Sequence, residues 1–159
     1  MTSQTAVRVQ REAFDPGMEV GDFCRHNAMS GGVATFVGQM RDFRGDTRES
    51  GDTITAMTLE HYPGMAERQL EGLITEAKSR WPLDDVRVIH RFGTLQPGEP
   101  IVLVAVAAAH RSEAFEACAF LMDWLKTEAP FWKKESTAAG GAWVDARAAD
   151  EDKAERWRR

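Results

Sequence analysis

The sequence predicts an α+β domain: a largely antiparallel sheet with helices packed on it, arranged around a ββαββα core. Three observations predict it. Short β-branched and aromatic runs come in pairs, 33–38 with 54–61 and 86–92 with 100–109. A longer stretch follows each pair, with apolar residues recurring at helical spacing. No G-x-G-x-x-G or P-loop pattern is present, and two-strand runs between helices argue against a doubly wound parallel fold.

In chain order, the first 15 residues alternate weakly and predict a short strand. Asp15-Pro16-Gly17 is a turn signal. Residues 18–27 predict a short helix with Val20, Phe23 and Cys24 on one face. Gly31-Gly32 then punctuates the chain before the strand VATFVG (33–38). Residues 41–53, RDFRGDTRESGDT, form a charged, glycine-containing loop of the kind that is functional or disordered. ITAMTLEH (54–61) is expected to return as the second arm of a long-looped hairpin.

Pro63 suits the first turn of a helix, and Ala66, Leu70, Leu73, Ile74, Ala77 and Trp81 recur at helical spacing until Pro82 ends it. VRVIHRF (86–92) and PIVLVAVAAA (100–109) are strands joined by the turn GTLQPGE. Ser112 is a candidate cap for the next helix, whose apolar face is expected at Phe115, Cys118, Ala119, Met122 and Leu125, with Pro130 as its stop. FWKKES (131–136) and AWVDA (142–146) predict a final strand pair, and the mixed-charge tail 148–159 a frayed helix. Residues 1–159 are expected to form one domain.

Composition narrows the function. The chain is 43% hydrophobic and 28% charged, with net charge -5, so it has no global basic field for nucleic acid; any anion site must be a local cluster. Cys24 and Cys118 are far apart, which argues against a disulfide framework or a dithiol motif and suggests the cytoplasm. The opening residues lack the apolar stretch of a signal peptide, and no apolar run is long enough to span a bilayer, so no membrane partner is expected. His26, His61 and His90 show no metal-ligand spacing, and neither a metal nor another cofactor is expected. His90, inside a strand, reads as a packed or hydrogen-bonded residue; Cys118 reads as core, and Cys24 similarly.

Three groups of cations can carry chemistry. His110 and Arg111 follow an apolar strand and precede a helix, where free N–H groups attract phosphate or carboxylate; alternatively they are a strand-end residue and a solvated charge. Lys126 closes the long helix and Lys133 follows a reversal past Phe131 and Trp132. Brought together in a half-dry pocket, two lysines would each disfavour the other's charge and suit proton transfer or nucleophilic attack. Apart, one satisfies helix carbonyls and the other is a surface charge. Arg41, Arg44 and Arg48 lie on the 41–53 loop, suited to closing on a phosphate or simply solvated.

LEHYPGM (59–65), AHRSEAFEA (109–117) and LKTEAPFWKKE (125–135), with RWPLDDVRVIHRFGTLQPGE (80–99), resemble the large, catalytic subunits of molybdopterin synthase over residues 32–147. That resemblance implies an α/β-hammerhead-like fold and a sulfurtransferase. It implies two sulfurs inserted into cyclic pyranopterin monophosphate, precursor Z, to form the molybdopterin dithiolene of the molybdenum cofactor. The sulfur donor implied is the C-terminal glycine thiocarboxylate of a small ubiquitin-like subunit, within a heterotetramer built on a homodimer of large subunits. By position, Lys126 and Lys133 match the family's active-site lysines, and His110, Arg111 and Arg41 its substrate-binding residues, with Arg41 reaching the neighbouring protomer's site. Arg147 matches a further basic residue, and Glu135 a glutamate that positions a lysine. The loop 43–52 looks longer and more charged than the family's, which leaves Arg44 and Arg48 without an assignment, and the tail has none. The alternative is a non-catalytic anion-binding or scaffold module that retains the fold.

Overall fold

The computed structural model describes residues 6–42, 53–128, 131–137, 140–144 and 153–158. The elements run β1 (Val7–Gln10), α1 (Pro16–His26), β2 (Gly32–Gln39), β3 (Ile54–His61), α2 (Met65–Arg80), β4 (Leu83–Arg91), β5 (Gly93–Leu95), β6 (Pro100–Ala108), α3 (Arg111–Glu128), β7 (Phe131–Thr137) and β8 (Gly140–Val144). They form two four-stranded sheets, ordered β1-β4-β6-β2 and β5-β3-β7-β8. Every pairing is antiparallel except β1 with β4. The α+β class and the antiparallel bias are as expected; the division into two sheets is not legible in the sequence.

The β4–β6 hairpin is the centre of the first sheet, and its register sets Val86 opposite Val106 and His90 opposite Val102. β6 is buried on both faces, which is why its sequence is an unbroken apolar run. Val102, Val104, Val106 and Ala108 face one way and pack with Leu70, Ile74 and Ala77 of α2 and Ala117, Leu121 and Leu125 of α3. Ala105 and Ala107 face the other way, where their small side chains admit Phe23 of α1. A smaller core of Met40, Ile54, Met57, Leu59 and Leu95 sits under the second sheet.

Several expectations change. β2 does not pair with β3: it lies against β6, while β3 joins β5 and β7 in the other sheet, so the long-looped hairpin is not formed. The Asp15-Pro16-Gly17 signal is a helix start, with Asp15 accepting from the Met18 N–H (3.1 Å) and Pro16 in the first turn. The second helix begins one residue past Gly64, whose φ of 81° favours glycine and whose N–H donates to Glu67 (2.7 Å). The third begins at Arg111, so Ser112 lies inside its first turn rather than capping it. Its buried stripe runs Ala114, Ala117, Cys118, Leu121 and Leu125, and Phe115 points to solvent. Cys118 is core, but Cys24 is exposed. Residues 153–158 do not fray: Trp157 packs edge-on to Trp81 and Phe120 and donates to Asp123 (2.7 Å). Residues 43–52 and 145–152, with Arg44 and Arg48 among them, fall outside the described residues. No described helix is long and apolar enough to cross a membrane.

Candidate active site

Strand parity places one imidazole where an aliphatic side chain would be expected. Residues 86, 88 and 90 share a face of β4. Val86 and Val88 enter the core beneath α2 and α3, and His90 continues that row, 5% exposed. Its Nδ1 lies 2.8 Å from the Arg91 carbonyl oxygen. A carbonyl only accepts, so Nδ1 carries the proton and Nε2 presents a lone pair. Burial pushes the His90 pKa down to about 4; the hydrogen bond to Arg91 opposes this, and the charges of Lys126, His61 and Lys133 add to it. The ring is therefore neutral at physiological pH.

Aromatic contacts lock this ring. His90 stacks on Phe131 with centroids 3.8 Å apart and planes 13° from parallel. Phe131 also meets His61 (5.9 Å), which lies against Phe92 (4.3 Å), and the Arg11 guanidinium caps Phe92 at 4.8 Å. The ladder joins β7 and β3 of the second sheet to β4 of the first. Arg91, itself buried, ties the same end of the sheet by donating twice to the Arg11 carbonyl (3.1 and 2.9 Å).

Both predicted lysines act on this ring through their charge, from different elements. Lys126 stands in the last turn of α3 and is exposed. Lys133 is half-buried, two residues beyond Phe131 on β7, its backbone paired with Leu59 and Val144. The charges of both lysines act on His90. Glu135 follows on β7, paired with Met57 and Ala142. Arg41, exposed, follows Met40, whose backbone bonds Glu99 (2.9 Å) and Gly98 (2.7 Å) at the turn leading into β6. That is the same end of the sheet as His90. Arg147 lies outside the described residues.

His110 and Arg111 are at the other end. They form the exposed corner between β6 and α3. Gly31 makes the corner possible: a Cβ there would sit 2.0 Å from the Ala109 carbonyl oxygen. At 1.5 Å per residue, α3 separates Arg111 from Lys126 by about 22 Å. Within one chain the His-Arg pair and the lysine pair therefore occupy opposite ends of one helix.

The sequence reading passed over His90 and His61 as site residues. The signal for His90 was present: a polar residue in strand register with Val86 and Val88 on the core-facing side of β4. Among the described residues no group of three or more His, Cys, Asp or Glu gathers as a metal site. The groove between α1 and the sheet, lined by Arg8, Asp22, Arg25 and Arg87, opens on the face opposite His90 and is filled with ion pairs.

Two sheets joined where His90 stacks on Phe131, with helices packed on the first, define an α+β protein whose predicted cations fall at the two ends of α3. The chain belongs to the MoaE protein family, whose model matches residues 9–128. It is 53% identical over 152 residues to the molybdopterin synthase catalytic subunit of Pseudomonas aeruginosa, covering 96% of this chain and 98% of that one. It is 47% identical to the subunit of the same name from Escherichia coli, covering 98% and 99%. The fold is similar to the molybdopterin biosynthesis MoaE protein from Burkholderia ambifaria (TM-score 0.80, 46% identity, 98% and 99% covered). It is also similar to molybdopterin synthase from Staphylococcus aureus (TM-score 0.75, 25% identity, 90% and 99% covered).

Proposed function

We propose that this chain is the catalytic subunit of a molybdopterin synthase, a sulfurtransferase of molybdenum cofactor biosynthesis. It takes sulfur from the C-terminal glycine thiocarboxylate of a small ubiquitin-like partner and inserts two sulfurs into cyclic pyranopterin monophosphate. The observation that carries this reading is the match to the MoaE family over residues 9–128, with 53% identity to a molybdopterin synthase catalytic subunit; Lys126 of α3 and Lys133 of β7, whose charges both act on His90, supply its chemistry. Two ammonium groups near one pocket suit an acyl carbon under attack, whose oxygen gains negative charge as the nucleophile adds and gives it up as sulfur leaves. Lys126 serves as the principal catalytic group, and Lys133 lines the same pocket and binds the partner's terminal group or the substrate.

His110 and Arg111 bind the substrate phosphate and pterin at the start of α3, where backbone N–H groups and the helix dipole favour an anion. Because about 22 Å of helix parts them from Lys126, they serve a lysine pair on a second copy of the chain, and Arg41 likewise reaches across. This agrees with a homodimer of large subunits inside a heterotetramer. Glu135 positions a lysine, and Arg147 adds a positive charge. The reaction needs neither nucleic acid nor membrane, residues 1–159 act as one domain, and the protein works in the cytoplasm.

The test is reconstitution. The purified chain, its thiocarboxylated partner and cyclic pyranopterin monophosphate should yield the dithiolene product. A chain that binds both yet forms none is the anion-binding module instead.

A further inference from the structure

We propose that His90 is a positioning residue for the lysine pair: its ring fixes β7 against the first sheet, and its Nε2 lone pair is the acceptor that one of the two ammonium groups takes when the site is engaged. The proposal rests on the sulfurtransferase reading for its kinetic consequence but not for its chemistry. Three observations carry it. His90 is 5% exposed on the face of β4 that otherwise feeds the aliphatic core. A buried polar group without a partner is costly, so its presence there implies that both nitrogens are used. Nδ1 is committed to the Arg91 carbonyl at 2.8 Å, which leaves Nε2 as the one acceptor on the ring. Finally, the stack on Phe131 sits two residues from Lys133, while Lys126, in the last turn of α3, acts on the ring through its charge. An acceptor for ammonium must stay unprotonated, and the low pKa of His90, about 4, keeps it so.

The geometry also explains why histidine and not phenylalanine stands at this position. Phenylalanine would preserve the stack and lose the lone pair. Glutamine reaches as far as Nε2 and restores an acceptor there; asparagine reaches only as far as Nδ1. The informative variants are therefore His90→Phe, His90→Gln and His90→Asn, each checked for native near-UV dichroism and thermal midpoint.

Lysine reactivity is read first, on the chain alone, by acetic anhydride labelling and peptide mass spectrometry. In His90→Phe and His90→Asn the labelling rate at Lys126 or Lys133 should change about threefold or more, because a charge-assisted hydrogen bond is lost, with Lys78 and Lys153 as unchanged exposed references. In His90→Gln it should remain near the native rate. In the reconstituted synthase, kcat should fall about tenfold in His90→Phe and His90→Asn, as expected for misplaced catalytic groups, with KM for the small partner little changed and most of kcat regained in His90→Gln. A natively folded His90→Phe chain with native lysine labelling overturns the proposal whatever the activity. Altered labelling with no turnover by the native chain overturns the sulfurtransferase reading alone.

Discussion

The imidazole of His90 lies flat on the ring of Phe131, centroids 3.8 Å apart and planes 13° from parallel. One ring belongs to the central hairpin of the first sheet and the other to the strand of the second sheet that carries Lys133. This contact is thus where the two sheets are held in register beside the lysines. It also makes the stability of the fold depend on the protonation of His90.

The folded His90 has a pKa of about 4, against about 6.5 when exposed. Between those values the unfolded chain binds the proton and the folded chain does not, so stability rises with pH. The neutral ring costs nothing above about pH 6.5, and stability is lost as pH falls from there toward 4, by on the order of 3 kcal/mol. Urea unfolding of the native chain and His90→Phe at pH 7.5, 5.5 and 4.5 isolates this term from the carboxylates. The gap between the two should close or reverse toward acid; a constant gap refutes it.

How much of this was legible follows from which physics each residue obeys. β6 was legible because a strand buried on two faces has to be apolar at every position, and IVLVAVAAA is. The fate of β2 was not: its own residues specify a strand, but the choice of β6 over β3 as partner is made by distant packing. The expected face of α3 included Phe115 for its size, yet that ring lies in solvent. Cys118 and Leu125 are buried as expected, but the stripe continues through Ala114, Ala117 and Leu121, and the two alanines are small enough for the helix to lie close on the sheet. At the site, residue types were legible and distances were not drawn. Helix length alone parts Arg111 from Lys126, while the placement of Lys133 beside the β4 end of the first sheet depends on the pairing of β7 with β3, which no local pattern records.

The two cysteines should differ sharply in reactivity. Cys118 is buried against α3's neighbours, and burial pushes its thiol up to about 11, whereas Cys24 is exposed on α1. The thiolate is the reactive species. Iodoacetamide at pH 8 should modify Cys24 within minutes and leave Cys118 untouched until urea unfolds the chain. Equal labelling of the two in the native protein contradicts the burial of Cys118.

Arg87 is the buried link between α1 and the sheet. Its guanidinium contacts Glu19 (3.3 Å) and Asp22 (3.1 Å) and lies 5.4 Å over the Phe23 ring. Arg87→Ala removes the cation and leaves both carboxylates facing each other, with Glu19 still paired to Arg8. The expected loss is about 2 kcal/mol, below the cost of breaking a fully buried pair because Asp22 is partly solvated. Since Arg87 faces away from His90, kcat per folded molecule should be native. A drop in kcat larger than the folded fraction explains would place α1 in the site.

Lys126 and Arg111 lie at opposite ends of α3, and this makes a composite site testable by mixing. Lys126→Ala should nearly abolish product formation while the thermal midpoint changes little, because the side chain is exposed and lies outside the apolar core. Arg111→Ala should also be nearly inactive, through lost substrate binding. When the two inactive variants are unfolded together and refolded, half the dimers are hybrids. In each hybrid, one site combines the intact Lys126 of one copy with the intact Arg111 of the other, and the second site lacks both. If the halves act across the dimer, activity should return to about a quarter of native. If they acted within one chain, no combination of subunits would contain an intact site, and the mixture would stay as inactive as its parts.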